Sequence, residues 1–592
     1  MRATRRRRAV LAVLLLAAGT VPAAGGWTAY RGLSVRDHLQ ASRDALLHLR
    51  AVISARDAAR ITATLASARW HAAEAERLTA GADWSLITHA PVVGYGATTV
   101  RDLAAGAAEL TDVLTGLQGA AAPLIQAATH STADVRRALA GLHAAAPALG
   151  AAVTRLDRVR ARLSTGSAPT GLDSLDRARE SALRETVRLR GWLHAAATAA
   201  TLVPPMLGHD GPRRYFLAFQ TNAEARGTGG LVGAFGILEA AGGRVAVERL
   251  AANNDLEGSM RPVADHGTPF RRRYGEGAVK LLSVSNLSPH FPYAATTWTA
   301  LWERQTGRRL DGAVAIDPVG LSYLLGATGP VTLPGGEKVD AANVVDLTER
   351  AAYARYADPA ERKRYLLRIA AAVSARIPDL VATPSRLLPV LSPMIEDRRI
   401  QVWSRRDAEQ DRLARTPLGG VLPERAGPYA GLVVNNAAGG KLDFYLDRSL
   451  DYELGPCRAG RRATTVRVRL ANQVPEGTLP PYVTGRHDRH GKGQAPGANL
   501  LWVSLYAAVG AKVTETRLDG QPTGVTGESE RSHPVYSTLL QIGPRQARTL
   551  EFRLDEPASA EPPAVPAQPL ARPQHTRVSD DRRGCGPGTA AE

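Results

Sequence analysis

A stretch of eleven residues, QTNAEARGTGG at 220–230, places four different polar side chains on alternate positions: Asn222, Glu224, Arg226 and Thr228. Apolar runs of strand length lie on both sides, Tyr215–Phe219 and Leu231–Phe235. A guanidinium can donate two hydrogen bonds to one phosphate or carboxylate, so Arg226 and its neighbours could bind an anion. Because buried polar groups are costly without partners, the same side chains could instead bond to one another in an ordered turn.

A second cationic set follows in YARYADPAERKRY at 353–365: Arg355, Asp358, Arg362 and Arg364. Arginine suits a pyrophosphate because its planar fork makes two bonds to one phosphate and keeps its charge. Arginine is common throughout this chain, so the alternative is a solvated helix start capped by Asp358. If a pyrophosphate is bound, a divalent cation such as magnesium would need carboxylate oxygens, which Asp255, Glu224 and Glu257 could supply.

The common catalytic and metal-binding motifs are missing from the sequence. The chain has no G-x-S-x-G, H-E-x-x-H, C-x-x-C pair or G-x-x-x-x-G-K. His290, beside Phe291 and Pro292, is typical of a packed loop histidine. Cys457 and Cys585 lack metal-ligand spacing; in an exported protein they could form a disulfide, which only their distance in the fold decides.

Composition argues against nucleic-acid binding despite a formal net charge of +18. The 592 residues include 68 arginines and six lysines, with abundant alanine, which is typical of GC-rich codon bias in a bacterium. No aromatic and basic module accompanies the charge, so no nucleic-acid partner is predicted. The length suffices for three or more domains, each with its own core.

The N-terminus predicts membrane targeting. Arg5–Arg8 precede eighteen uncharged residues, AVLAVLLLAAGTVPAAGG, and Trp27 and Tyr30 follow where an interfacial aromatic belt would lie. Residues 1–30 are therefore predicted to be a single-pass signal-anchor, or a signal peptide cleaved after a small-residue site such as VPA. Because arginines stay on the cytoplasmic side, the rest of the chain should be extracytoplasmic.

Three further regions differ in their apolar patterns. Residues 34–200 have apolar side chains at helical spacing and predict an α-helical stalk or bundle of four or five helices. Residues 430–555 alternate apolar and polar side chains between Gly/Pro turns and predict an antiparallel β-sandwich. Residues 556–592, rich in proline, alanine and arginine without periodicity, predict a disordered, flexible tail.

The polar stretch at 220–230 belongs to residues 205–400, which predict a layered α/β domain. A β-hairpin is expected around Ala241–Gly243, and a strand at Ala313–Ile316 precedes a helix that begins at Pro318 and is capped by Asp317. Further helices are expected at 341–357 and 360–377. Strands that alternate with helices indicate a layered domain, so the fold class is multidomain α+β.

Three stretches carry a family resemblance: QTNAEARGTGGLVGAFG, NLSPHFPYAATTWTALWERQTG and LDGAVAIDPVGLSYLLGATGPVTL. With the sequence around them, from about 205 to 480, they resemble a bacterial family of membrane-anchored extracytoplasmic proteins, domain of unknown function 4012 (DUF4012). That family implies almost no biochemistry. More remotely, the order of elements resembles the LytR-CpsA-Psr phosphotransferases, which move glycopolymers from a polyprenyl-pyrophosphate carrier onto peptidoglycan.

The remoter resemblance implies roles for both polar sets. Its Gly-x-Asp-x-Arg loop falls on 220–226, with Asn222 or Glu224 at the acidic position and Arg226 at the basic one, and its later arginine run falls on 355–364. Two departures from the family's motifs count against phosphotransferase activity. Gly-Thr-Gly-Gly replaces the family's Ser-Asp-Thr, and AANNDLEG replaces its Pro-Arg-Asp-Thr, which leaves Asp255 without an arginine.

Two functions are therefore expected as alternatives. The first is a membrane-anchored cell-envelope protein that binds an anionic ligand, such as a lipid-linked pyrophosphate or a wall glycopolymer. The second is a non-catalytic structural or interaction protein of the envelope, in which the polar stretch is a turn. If the protein binds an anion, the expected ligand site consists of Asn222, Glu224, Arg226, Thr228, Asp255, Arg355, Arg362 and Arg364.

Overall fold

The computed structural model describes residues 30–49, 52, 57–91, 93–126, 132–165, 169–476, 479–486, 488 and 495–585. The chain forms two compact units, one of helices up to Pro205 and one from Met206 onward. The predicted membrane segment, residues 1–30, lies outside the described residues except for Tyr30. Within the described part of the chain, no helix is long and apolar enough to cross a membrane.

The first unit consists of helices, as the apolar spacing predicts. They are α1 (30–49), α2 (Ala58–Thr79), α3 (Ala82–Thr88), α4 (Gly94–Gln126), α5 (Thr132–Thr165) and α6 (Asp173–Met206). Helices α4, α5 and α6 share an apolar cluster that includes Val113, Leu156 and Leu193. Alanines in the same cluster, such as Ala152, allow helix backbones to approach closely.

The second unit begins with a sheet and its helices. The strands are β1 (Arg213–Arg226), β2 (Gly229–Ala241), β3 (Arg244–Ala252), β4 (Gly312–Ile316), β5 (Val331–Thr332), β6 (Lys338–Val339) and β7 (Ile400–Ser404). The helices are α7 (Thr268–Tyr274), α8 (Phe291–Thr306), α9 (Pro318–Thr328), α10 (Val344–Asp346), α11 (Ala352–Arg355), α12 (Pro359–Ser374), α13 (Ile377–Val381), α14 (Pro384–Glu396) and α15 (Asp407–Leu413). The order β3-β2-β1-β4-β7 makes one five-stranded sheet, in which β1 and β4 run parallel.

Helices cover both faces of this sheet, because successive side chains of a strand point to opposite sides. Phe216 and Phe235 stack at 5.2 Å on the face covered by α8, and Trp298 of α8 lies 5.8 Å from Phe216. On the other face, Leu217 and Ile316 pack with α9 and α12. The structure thus confirms a mixed helical and sheet architecture.

The polar stretch at 220–230 does not interrupt the sheet. Strand β1 continues to Arg226 and β2 begins at Gly229, so both apolar runs belong to one long hairpin. The β1–β2 register shifts between Thr221 and Ala225, and residues 222–224 form a bulge. Backbone groups in a buried bulge lose their cross-strand partners and must find others.

The β-sandwich follows. Its strands are β8 (Ala430–Asn436), β9 (Leu446–Arg458), β10 (Arg461–Asn472), β11 (Asn499–Ala507), β12 (Lys512–Leu518), β13 (Gln521–Pro522), β14 (Thr526–Glu530), β15 (His533–Ile542), β16 (Ala547–Pro557) and β17 (Gln574–Asp580), with a short helix α16 (Pro481–Thr484) between β10 and β11. Six strands form the sheet β13-β12-β16-β10-β9-β17, and four form β14-β15-β11-β8. Their inner faces share one apolar core.

Residues 556–585 pack against the rest of the second unit, which corrects for these residues the disordered, flexible tail predicted at 556–592. Strand β17 pairs in parallel with β9. The segment before it, residues 558–573 and called the strap here, contacts both the sandwich and the central sheet. Gln568 of the strap donates hydrogen bonds to the carbonyls of Arg226 at 2.7 Å and Val434 at 2.8 Å. The composition of the strap did not predict its structure, because hydrogen bonds from side chains and the main chain hold it in place and its apolar residues show no periodicity.

A disulfide closes the end of the described chain. Cys457, near the end of β9, is bonded to Cys585, and their Cα atoms are 5.1 Å apart. The sequence left this pairing open, because the two residues are 128 positions apart and only the fold brings them together. The disulfide joins the segment after β17 to the same strand with which β17 pairs.

Candidate functional site

Two buried carboxylates accept hydrogen bonds from backbone N–H groups in the bulge of β1 and directly beside it. Glu349 accepts the N–H groups of Asn222 at 3.1 Å and Ala223 at 2.5 Å, and also the Thr221 hydroxyl at 3.0 Å. Asp443 accepts the N–H of Ala225 at 2.8 Å. The polar stretch is therefore satisfied largely by side chains from distant parts of the chain.

Glu349 lies in a π-helical turn, Leu347–Ala351, between α10 and α11. The sequence predicted one helix at 341–357, and the structure has an uninterrupted helical run from Val344 to Arg355 whose middle turn is π-helical. A π-helical turn inserts a residue into the helical repeat and often marks a functional site. Burial raises the pKa of Glu349 to about 7, against the opposing effect of the hydrogen bonds from the bulge.

Stability measured against pH tests this environment. A glutamate in an unfolded chain ionises near pH 4.5, whereas Glu349 ionises near 7 in the folded protein. Between these values the folded state keeps a proton that the unfolded state has lost, so a rise in pH favours unfolding. Glu349→Gln removes this titration. From about pH 5 to pH 8, the wild type should lose about 3 kcal/mol more stability than Glu349→Gln.

Thermal melting of both proteins across this pH range is the measurement. Every other titrating group is common to the two proteins, including Glu556, whose pKa burial also raises to about 7. Its contribution therefore cancels in the comparison. Melting curves that shift in parallel with pH would show that Glu349 ionises in the folded protein as it does in the unfolded chain.

A second group of polar side chains lies next to the bulge and comes from both domains of the second unit. Lys441, from the loop after β8, forms an ion pair with Glu224 at 2.5 Å and lies 5.0 Å from the ring centre of Tyr482. Arg362 of α12 stacks on the same ring at 3.8 Å and donates a hydrogen bond to the Tyr356 carbonyl at 2.9 Å. Among the described residues, no carboxylate lies within ion-pair distance of Arg362.

These groups border a cavity of about 120 Å³, called the apolar cavity here. Its apolar wall consists of Phe219, Leu231, Ile316, Leu321, Leu366 and Leu367. It lies where β1 bulges and the parallel strand β4 ends, and ligands of open α/β sheets bind beyond the carboxyl ends of such strands. An apolar chamber with a few convergent polar groups is the usual form of a small-molecule site, although such sites have roughly 300–1,000 Å³, so this cavity has room for only part of a larger ligand.

The charges around the apolar cavity leave an excess of cations. Two ion pairs in its wall are neutral in themselves: Glu224–Lys441 at 2.5 Å and Asp317–Arg399 at 2.9 Å. Arg362 and Lys363 remain, against the single carboxyl of Glu349, whose raised pKa reduces its charge near neutral pH. An anion placed in this cavity would therefore gain favourable electrostatic interactions.

The predicted site residues do not converge on one cleft. Glu224 and Arg362 line the apolar cavity. Arg226 is buried and donates hydrogen bonds to three main-chain carbonyls: Ser283 at 3.2 Å, Ala225 at 2.9 Å and Asn436 at 3.5 Å. Asn222 donates to the Pro569 carbonyl at 3.0 Å, and the Thr228 hydroxyl accepts from Gln220 at 2.7 Å. These three side chains hold the hairpin end in place.

The other predicted residues lie elsewhere. Asp255 caps a turn by accepting the Ala252 N–H at 2.9 Å. Arg355 pairs with Glu337 at 2.5 Å, and Arg364 is exposed on α12. Asp358 caps α12, as the alternative interpretation of the cationic set expected. The sequence missed Glu349, Lys441 and Tyr482; a weak signal existed for Lys441, which is one of six lysines in the chain.

The described residues do not supply a metal centre. They contain no group of three or more histidine, cysteine, aspartate or glutamate side chains that could hold a metal ion. The carboxylates near the apolar cavity are occupied: Glu224 by Lys441, Asp317 by Arg399 and Glu349 by backbone N–H groups. His290 is buried and accepts the Leu422 N–H at 3.2 Å, as a packed loop histidine does.

Residues 210–353 match the model of a family described as "Protein of unknown function (DUF4012)", which confirms for this segment the family predicted from the sequence. No curated protein matches the chain. One matching solved structure is the crystal structure of a "putative nutrient binding protein" from Legionella pneumophila, at 4% identity and a TM-score of 0.16, covering 22% of this chain and 44% of that one. The chain thus spans less than half of that protein, and a score this low carries no argument.

Proposed function

We propose that this chain, with its DUF4012 segment, binds an anionic amphiphile of the cell envelope, of the lipid-linked pyrophosphate class, in the apolar cavity. The observation that carries the proposal is an apolar chamber with Arg362 at its wall, unpaired with any carboxylate of the described residues. The isoprene unit next to the pyrophosphate would replace water on Leu231, Leu321 and Leu366. A phosphate would neutralise Arg362 through charge-assisted hydrogen bonds.

The proposal includes a membrane-anchored, extracytoplasmic protein. Its support is the arginine block and apolar run within residues 1–30. The disulfide between Cys457 and Cys585 adds support, because disulfides persist mainly in oxidising compartments outside the cytoplasm. A protein held there would meet lipid-linked precursors and wall glycopolymers at the outer face of the membrane.

Binding is proposed here without catalysis. Arg226, which the remote resemblance assigns to pyrophosphate, is bonded to main-chain carbonyls and does not line the apolar cavity. The same network favours the second candidate, a structural or interaction protein of the envelope, in which the hairpin end serves folding alone. The two candidates differ in one measurable property, affinity for an amphiphilic anion.

Titration calorimetry of the full chain with farnesyl pyrophosphate tests the proposal. The informative variant is Gly233→Val, since a Cβ added at Gly233 meets only ordinary contacts, 3.6 Å from Thr221 Cγ2 and 4.0 Å from the Phe219 carbonyl oxygen. All three residues line the apolar cavity, so the added side chain should occupy it. We expect affinity to fall roughly tenfold or more, about 1.4 kcal/mol, at an unchanged melting temperature.

Arg364→Gln is the matched control for surface charge, because Arg364 is exposed on the same domain and does not line the cavity. It should bind farnesyl pyrophosphate as the wild type does. Farnesol and inorganic pyrophosphate, each lacking half of the ligand, should bind more weakly. A wild type without measurable affinity for farnesyl pyrophosphate would favour the structural role, whereas equal affinity in Gly233→Val would overturn the assignment of the ligand to the apolar cavity.

A further inference from the structure

A second and larger cavity, of about 430 Å³, lies where the π-helical turn meets the β-sandwich, and is called the junction cavity here. Its volume falls within the range of small-molecule sites. Glu349 and Lys441 line both cavities, so the two chambers share a wall. No residue that the sequence predicted as a ligand contact lines the junction cavity.

Three cationic side chains reach this cavity from three separate segments: Arg350 from the π-helical turn, Lys441 from the loop after β8, and Arg572 from the strap. Each has a carboxylate partner that does not line the cavity, Asp346 for Arg350, Glu224 for Lys441 and Asp447 for Arg572. The carboxylates thus lie away from the chamber and the cationic side chains border it. Glu349 supplies the single acidic side chain among the lining residues.

The ion pairs of the two arginines are partly exposed, and Arg572 also donates a hydrogen bond to the Phe444 carbonyl at 3.1 Å. The side chains of Arg350 and Arg572 are 49% and 36% exposed, and an exposed ion pair contributes little to stability. Both guanidinium groups act on Tyr445: burial raises the pKa of its hydroxyl, and Arg350 and Arg572 oppose that rise. Both side chains line the junction cavity together with Tyr445.

The remaining lining suits the body of a sugar. Phe444 and Tyr445, with ring centres 5.1 Å apart, and Pro475 and Pro480 offer flat apolar surfaces. The Gln473 amide can bond hydroxyl groups. A bare phosphate would leave the apolar surfaces in contact with water, and a purely apolar ligand would cover the exposed parts of the two guanidinium groups without bonding to them. A saccharide that carries a negative charge satisfies both.

We infer that the junction cavity is a binding subsite for an anionic sugar residue, a sugar phosphate or a uronic acid. The inference rests on the proposed function in one respect: it assigns the sugar of the same ligand, whose first isoprene unit occupies the adjoining apolar cavity. It also gives the β-sandwich and the strap a role, because Lys441 and Arg572 both lie outside the segment 210–353 that matches the family model.

The test uses soluble sugars without a lipid, so that its outcome is independent of the apolar cavity. Glucose 1-phosphate, glucuronate and glucose are titrated into the full chain by ligand-observed NMR. The two anionic sugars should bind, and whichever binds more tightly identifies the charged group; neutral glucose should bind at least tenfold more weakly. Inorganic phosphate should also bind more weakly, because it leaves the apolar surfaces uncovered.

Arg350→Gln is the informative variant, since Arg350 forms one exposed ion pair, with Asp346 on its own helical segment, and its loss should leave the melting temperature unchanged. It should weaken the anionic sugars about tenfold, whereas Arg364→Gln should not. Gly233→Val should bind the sugars as the wild type does. Binding of farnesyl pyrophosphate without any of the sugars would overturn this inference alone; sugar binding that is indifferent to Arg350→Gln would place the sugar elsewhere.

Discussion

At about pH 5, where the buried carboxyl is protonated in the folded protein, Glu349→Ala should lower the melting temperature of the second unit by roughly 2–7 °C. The substitution removes the acceptor of the Asn222 and Ala223 N–H groups, which lie in a bulge without cross-strand partners. Each buried N–H left unpaired costs about 1–3 kcal/mol, so the two together cost about 2–6 kcal/mol. Few single substitutions reach this range, because most surface changes alter stability by less than 0.5 kcal/mol.

Differential scanning calorimetry of the purified chain measures this effect. Glu361→Ala is the control, because Glu361 is an exposed glutamate in the first turn of α12 in the same domain. The control separates the loss of a buried acceptor from the loss of one negative charge. Melting temperatures of the two variants within about a degree of each other would contradict this prediction. The Asn222 and Ala223 N–H groups would then have other acceptors in Glu349→Ala.

Loss of the disulfide should be the other large effect. Cys457 and Cys585 close a loop of 128 residues, and removing a native disulfide typically costs about 2–5 kcal/mol through freedom gained by the unfolded chain. Strand β17 is exposed along most of its length, so its pairing with β9 has little apolar burial to support it. Cys457→Ser should therefore melt earlier and expose β17 to trypsin at Arg577.

The wild type treated with a reductant should show the same melting temperature and the same cleavage, whereas reductant should have no further effect on Cys457→Ser. Thiol titration of the denatured, unreduced wild type should find no free thiol. Two titratable thiols in that sample, or a melting temperature that reductant leaves unchanged, would rule out a structural disulfide.

Local signals in the sequence were sufficient for several elements of the central domain. The apolar run Ala313–Ile316 became β4, and Asp317 caps α9 by accepting the Gly320 N–H at 2.8 Å, as the order Asp-Pro after a strand predicts. The β2–β3 hairpin turns at Gly242–Gly243, whose positive φ angles of 55° and 83° are those that glycine adopts without strain. Each signal lies within a few residues of the element it predicts.

The candidate site depends on contacts that no local pattern encodes. The polar stretch looked like an interruption because its partners are remote: Glu349 is 128 positions from Thr221, and Asp443 is 218 positions from Ala225. The local sequence of a bulge whose N–H groups bond to a remote carboxylate cannot be distinguished from that of a turn or of a ligand-binding loop. Similarly, Arg362 was identified as a candidate cation, but the Tyr482 ring on which it stacks belongs to another domain.

The strap has a consequence for the order in which the chain can fold during synthesis. The Asn222 amide and its acceptor, the Pro569 carbonyl, are 347 residues apart in sequence. The Arg226 carbonyl and its donor, Gln568, are 342 residues apart. The ribosome makes the hairpin first, so its tip must stay incomplete until nearly the whole chain has emerged. Such late contacts carry the full cost of loop closure, and the unfinished domain is exposed to aggregation and proteolysis meanwhile. A chain terminated before residue 568 could not complete the hairpin tip. Only a chain synthesised through the strap can therefore form the finished central domain.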